Sequence, residues 1–455
     1  MAVELSEDDV RDALAVLGEH DENGAQAAQS SLAWVGWDGE GPLALRRYDV
    51  QLFCWYTLPC KFLASIDDKR EAASALARTL EAFGGAPATY AEVCRSAETA
   101  QLLMLWELDE AAARRRLREL LDSSGIEPPD TELLTWGEVM GVDEASAREH
   151  VSIALEAAVE DGRLVPGAAG FGRRQGQIAD EALRDRRDDH GPTILAAVHA
   201  ERLRRWIGHE GPHRAARRAI LQPIAGLLAD EPPRSDEPAA REALAPTLWL
   251  LRQAADGLAL TQSGALSRAL VREAVERWPD WWDSDLFGPP NRELDVSRLH
   301  ELHHLVRRLR LVRRRGRRIV ITKRGTTLCD DPPALLAALA VELLSGDGFA
   351  AACGELAAAA ILRTGAADFS DDLARKVHPA ILEQGWHSGD EQPDVRDVGW
   401  QVADLLRLAE AIGVLAREPR REPRSAVLLT LTSAGRAALI VGLRARALAP
   451  ARYPW

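Results

Sequence analysis

Lysine is almost missing from this chain. Only Lys61, Lys69, Lys323 and Lys376 occur among its 56 Lys and Arg residues, so positive charge is carried by 52 arginines. A guanidinium is a planar fork that grips phosphate or carboxylate at two points, where an ammonium acts as a point charge. The arginine excess itself reflects a GC-rich coding genome. Also missing is any run of about 18 apolar residues, so no membrane span is expected. The opening MAVELSEDDVRD is acidic and lacks the apolar stretch of a secretory leader, which predicts a cytoplasmic protein. The five cysteines (Cys54, Cys60, Cys94, Cys329 and Cys353) form no CxxC pair. That pattern predicts free thiols in a reducing compartment, not disulfides or a zinc site. No P-loop string occurs, and no alternation of strand and helix patterns points to a parallel sheet.

What is present is helix. The 46% hydrophobic content suffices for packed cores in a chain of 455 residues. Apolar residues recur at three- and four-residue spacing, as in Ala73 to Phe83 and Leu335 to Leu344. The expected fold is mainly α and multi-domain, with small β-hairpins. The expected divisions are a helical N-terminal domain (1–125), a helix-turn-helix-like module (126–175), a helical connector (176–232), a module bearing a basic hairpin (240–345) and a second such module (346–455). Linkers are expected at Asp230 to Ala240, Gly288 to Asn291 and His387 to Val395, which are rich in Pro, Gly and charge. Tyr48 to Leu63 is dense in aromatic and apolar residues and reads as a buried helix broken near Pro59, or as a docking surface for a protein partner.

The charge is uneven. Residues 307–324 read RRLRLVRRRGRRIVITKR, with ten basic residues and no acid. Taking these ten from the net charge of −14 leaves −24 on the other 437 residues. Upstream, Leu299, Leu302, Leu305, Val306 and Leu309 form the apolar stripe of a helix. The opposite face carries Arg298, His300, His303, His304, Arg307 and Arg308. Arg313, Arg314, Arg315, Arg317 and Arg318 then crowd a hairpin around Gly316, followed by Lys323 and Arg324.

A short pattern occurs three times: Leu260-Thr-Gln-Ser-Gly264, Ile321-Thr-Lys-Arg-Gly325 and Leu431-Thr-Ser-Ala-Gly435. Each reads as a strand that ends, a Thr that caps the next helix and a Gly at the bend. The second and third copies extend upstream through an amphipathic helix and a first strand. In the third copy the stripe is Val402, Leu405, Leu406, Ala409 and Ile412. This arrangement resembles the C-terminal half of a winged helix-turn-helix domain, over roughly residues 256–445. It is also similar to actinobacterial proteins that end in such modules. The resemblance implies a recognition helix and a cationic wing that contact duplex DNA, with no enzymatic activity and no cofactor.

Three readings of the basic segment stand side by side: nucleic-acid contact, pairing with the protein's own acids, and a merely solvated face. The nucleic-acid site would comprise Arg298, His303, Arg307, Arg308, Arg313, Arg314, Arg315, Arg317, Arg318, Lys323 and Arg324. Leu134 to Pro166 reads as a further helix-turn-helix, with a turn at Gly141-Val142, Asp143 as N-cap and a wing from Asp161. Its second helix carries Glu144, Glu149 and Glu156, which suits DNA poorly and favours a structural or protein-binding role. A protein-interaction scaffold is the alternative function. His209-Glu-Gly-Pro-His213 matches HExxH, but Gly211 and Pro212 argue against one helical face, so a turn is expected and no metal. Gly170, Gly172 and Gly176 have no preceding strand to make a dinucleotide loop. Asp188-Asp-His190 reads as a solvated loop. Trp278, Trp281 and Trp282 read as an aromatic anchor, or as a base-stacking platform. Oligomeric state is not encoded in any visible pattern.

Overall fold

The computed structural model describes residues 3–188, 190–208, 214–282, 287–369, 371–387, 390–418 and 427–451. It is mainly helical, with a few small antiparallel sheets. The chain divides into two units, residues 1–198 with 451–455, and 199–450.

In the first unit, helices from Glu7–His20 to Glu110–Ser124 bury Leu32, Leu76, Leu80, Tyr90 and Leu102 in one core. Strands Val3–Leu5 and Leu43–Leu45 pair antiparallel over it. Phe53 to Trp55, Leu58 and Pro59 are buried as expected, while Cys60, Lys61 and Leu63 are exposed, and the helical path does not break at Pro59. It runs from Arg47–Leu52 through a π turn, Phe53–Thr57, into Leu58–Lys61. Proline lacks an N–H and clashes with the carbonyl four residues back. The wider turn, in which the Leu58 N–H reaches back to the Phe53 carbonyl, absorbs that mismatch just before the ring.

A second core in this unit joins Val151 and Leu155 of the helix Val142–Glu160 to Ile178, Ala179 and Leu183 of Phe171–Arg184. The boundary expected at 175/176 therefore falls within a helix. Residues 131–141 form turns, not the expected short helix, and no strand follows Asp161. The N-cap is Gly141, and Asp143 lies in the first helical turn.

The second unit contains the same order of elements twice among the described residues. The first copy is helix Ala245–Ala255, strand Leu258–Ala259, helices Arg268–Arg277 and Ser297–Arg308, and strands Val312–Arg315 and Arg318–Ile321. The second is helix Phe349–Thr364, strand Ala366–Asp368, helices Asp371–Leu382 and Val395–Ala411, and strands Leu415–Arg417 and Leu428–Leu431. In both, the last strand lies between the other two. The third helices, Ser297–Arg308 and Val395–Ala411, pack against each other. Their apolar stripes are buried in one shared core. The linker expected at Asp230 to Ala240 is helical in its last four residues. Asp236 caps Glu237–Ala243, and Ala240 is fully buried.

Thr322 and Thr432 cap the helices that follow the two hairpins, accepting from the Gly325 and Gly435 N–H groups. These glycines serve close approach, not bending. A Cβ at either would overlap a carbonyl oxygen, of Leu311 and Val414 respectively. The first Thr copy differs. Thr261 closes a turn onto Ala265, and Ser267 caps the next helix.

Candidate functional site

The basic hairpin is built by a two-residue turn. Arg315 pairs with Arg318, which leaves Gly316 and Arg317 as the loop. Gly316 has φ +62, and it alone of the two loop residues is left-handed, as in a type II′ turn. Residues directly opposite one another share a face of the ladder. Val312, Arg314, Ile319 and Ile321 therefore share one face, on which Val312 and Ile319 are buried. Arg313, Arg315, Arg318 and Val320 share the other. Two like charges, Arg315 and Arg318, thus stand directly opposite each other, which opposes hairpin formation.

Arg307, Arg308, Arg310, Arg313, Arg314, Arg315, Arg317, Arg318, Lys323 and Arg324 are all exposed. Among them, an ion pair to a described residue is made by Arg308, whose Nε donates to Glu342 Oε1 over 2.7 Å. Arg314 Nε donates to the Gly316 carbonyl and stiffens the turn. Lys323 and Arg324 open the helix Lys323–Cys329. Cations are disfavoured at that end of a helix. Ser433 and Ala434 hold the equivalent places in the second copy.

Two residues expected in the patch lie elsewhere. Arg298 is buried. Its Nη1 donates to Asp280 Oδ2 over 3.0 Å and its Nη2 to Glu410 Oε1 over 2.6 Å. His303 is also buried, with Nδ1 2.7 Å from Glu293 Oε1, and its Nε2 has no partner. The reason is helical spacing. Residues 298 and 303 flank the apolar stripe, and the packed helix Val395–Ala411 and the Glu293–Asp295 turn cover those flanks. The face left outward carries His304, Arg307 and Arg308, with His300 half-buried.

Burial pushes the Glu293 carboxyl upward, but hydrogen bonds from His303 and the Leu266 N–H, with the nearby His303 and His300, hold it below the usual range. Burial, then the neighbouring His300 and His303, lower His304. The rings of His300 and His304 lie 4.4 Å apart.

Sequence reasoning missed Arg310, at the junction of helix and hairpin. Arg310 has φ +55, the one left-handed residue other than glycine among the described residues. Its N–H donates to the Arg307 carbonyl, and the Leu311 N–H donates to Val306. Gly413 makes the same pair of bonds, with its N–H to Glu410 and the Val414 N–H to Ala409. Aligning the apolar stripes of the two third helices, Leu302 with Leu405 and Leu309 with Ile412, places Arg310 opposite Gly413 and would have exposed the match.

The second hairpin differs in charge. Arg417 is tied to Glu410 over 2.9 Å. Arg420, Arg421, Glu422 and Arg424 lie outside the described residues, as does the whole of His209 to His213. In the 131–166 segment Glu144 and Glu156 turn inward, while Glu149 stays exposed. Glu144 accepts the Gly137 N–H over 2.8 Å, and Glu156 accepts the Tyr48 N–H over 3.1 Å. Trp278 stacks on Trp281 and meets Trp249 edge-on, all against the core. No group of three or more His, Cys, Asp or Glu among the described residues could hold a metal ion. No described helix is long and apolar enough to cross a membrane.

A family model described as the Y4jL N-terminal domain matches residues 242–334. That segment contains the whole first copy of the repeated unit, including the basic hairpin. No curated protein and no solved structure matches the chain.

Proposed function

We propose that this is a non-enzymatic, cytoplasmic nucleic-acid-binding protein of regulatory type. In this reading the two repeated units are winged helices, and the first grips duplex DNA with its hairpin. One observation carries it: nine exposed cations on or beside one hairpin have no ion pair with a described residue, in a chain of net charge −14. Such a cluster repels itself unless an anion is near. Neutralising phosphates releases counterions, so binding falls steeply with salt. Arg298 and His303 serve the packing of the unit, and contact is led by the hairpin with Arg307 and Arg308 beside it.

The test is fluorescence anisotropy with a labelled DNA duplex across a salt series. Wild-type protein binds at low salt and releases as salt rises. R313E/R315E/R317E melts no lower than wild type and does not bind. Wild-type protein that ignores the duplex at low salt refutes the reading.

A second reading, a scaffold that binds a protein partner through the N-terminal unit, is favoured by a different observation. Leu63 is fully exposed beside a cavity of about 390 Å³ lined by Pro59, Phe62 and Trp106, and Leu108 and Trp34 are exposed on the same unit. Here L63D/L108D loses a stoichiometric partner that the wild type retains, while DNA is bound by neither.

A further inference from the structure

We propose that Arg310 is a phosphate-contacting residue at the base of the hairpin, and that the site takes a polymeric polyanion. This rests on the nucleic-acid reading above.

Helices commonly end with a left-handed residue, usually Gly, because a Cβ there crowds the backbone. The two bonds at Arg310 and at Gly413 are those of one such motif, and the φ values are +55 and +73. The second copy fills the position with the residue the backbone prefers, and a Cβ there would also overlap the Ala243 carbonyl. The first copy keeps an arginine there, against that preference, and leaves it exposed with no ion pair to a described residue. Strain retained in a folded protein marks a position where the side chain has work to do. The neighbours agree in sign: Arg307 one turn before it, and Lys323 just after Thr322, whose hydroxyl donates to the Arg310 carbonyl over 2.8 Å.

The spacing sets the ligand class. The strand Val312–Arg315 separates Arg310 from the turn by roughly 13 Å, at about 3.3 Å per residue. One phosphate cannot meet both ends while the side chains project outward from the strand. A chain of phosphates can, with Arg310 on one and the Arg315 and Arg317 end on another.

The experiment compares wild type with R310G, R310N and R310K on the same labelled duplex over a salt series, with thermal melts alongside. R310G and R310N relieve the backbone and remove the charge. Both are expected to melt no lower than wild type, with R310G about 1–3 °C higher. Both bind more weakly, and the slope of log affinity against log salt drops by about one. R310K restores most of the binding. Inorganic phosphate at matched ionic strength displaces the duplex no better than chloride. If R310G binds with wild-type slope while R313E/R315E/R317E does not bind, Arg310 has no role and the hairpin reading survives. If inorganic phosphate competes specifically, the site holds a single anion and the polymer assignment is overturned. If wild type itself does not bind, both proposals fall.

Discussion

Arg298 and Glu410 lie 112 residues apart in sequence and form a buried ion pair, Nη2 to Oε1 over 2.6 Å. Each side chain is 6% exposed. The pair joins the third helix of one repeated unit to the third helix of the other. Glu410 also holds Arg417, so one carboxylate bridges two guanidinium groups, and Asp280 supplies a second negative charge to Arg298.

Removing that carboxylate leaves the buried Arg298 guanidinium with only the exposed Asp280 as counter-charge. E410Q is expected to lose about 3–5 kcal/mol of stability in urea unfolding. Replacing both partners, as R298M/E410M, recovers much of the loss, because buried ion pairs and apolar substitutes of like volume are often close in energy. A double variant as unstable as E410Q would show that the pair is not what the site depends on.

Gly325 and Gly435 should not tolerate alanine. A Cβ at either meets a backbone carbonyl, which no side-chain movement relieves. G435A and G325A are expected to melt far below wild type. Gly176, inside the helix Phe171–Arg184 with open space around it, is the contrast. G176A should stabilise the protein by roughly 0.5–1 kcal/mol by removing glycine's entropic cost. Equal effects at the three positions would contradict the close-approach account.

Arg315 and Arg318 oppose each other across the ladder. R318E converts a repulsive pair into an attractive one, a change on the order of 0.5 kcal/mol in favour of folding. The same substitution is expected to abolish duplex binding. Stability and binding thus move in opposite directions, read by thermal melt and by anisotropy on one preparation.

The stability of the second unit should depend on pH below neutrality. Burial, then the charges of Arg444 and Arg202, push His199 down to about 4 from an ordinary 6.5. Burial and the neighbouring histidines also lower His304. Between these values the unfolded chain binds more protons than the folded one, so stability rises with pH there. The His199 contribution is fully present above about pH 6.5 and is lost as pH falls toward 4. Urea midpoints measured across that window should fall with acid, and H199Q should flatten the fall. An unchanged profile in H199Q would assign the effect to another group.

The strong periodicities were legible in the sequence. The stripe from Leu299 to Leu309, the alternation around Gly316, and the Thr caps at 322 and 432 all follow from local spacing. The two-residue strand Leu258–Ala259 was not legible, because so short a run has no period and exists only by pairing with Arg318 and Ile319. A helical wheel places Arg298 and His303 outward because it distinguishes apolar from polar, not which polar residue will meet a distant acid. Glu410 and Glu293 make that choice, and neither is marked in the local sequence. The short helix expected before Gly141 failed for a similar reason. Leu134 is buried without helical structure, and Asp130 and Glu144 satisfy the Trp136 and Gly137 N–H groups instead.

The packing of Ser297–Arg308 against Val395–Ala411 has a consequence for assembly. Many two-fold proteins find their matching half by collision, and dilution separates them. Here both halves are carried on one polypeptide and clasped by a shared carboxylate. Their pairing is therefore set at synthesis and does not change with the amount of protein in the cell.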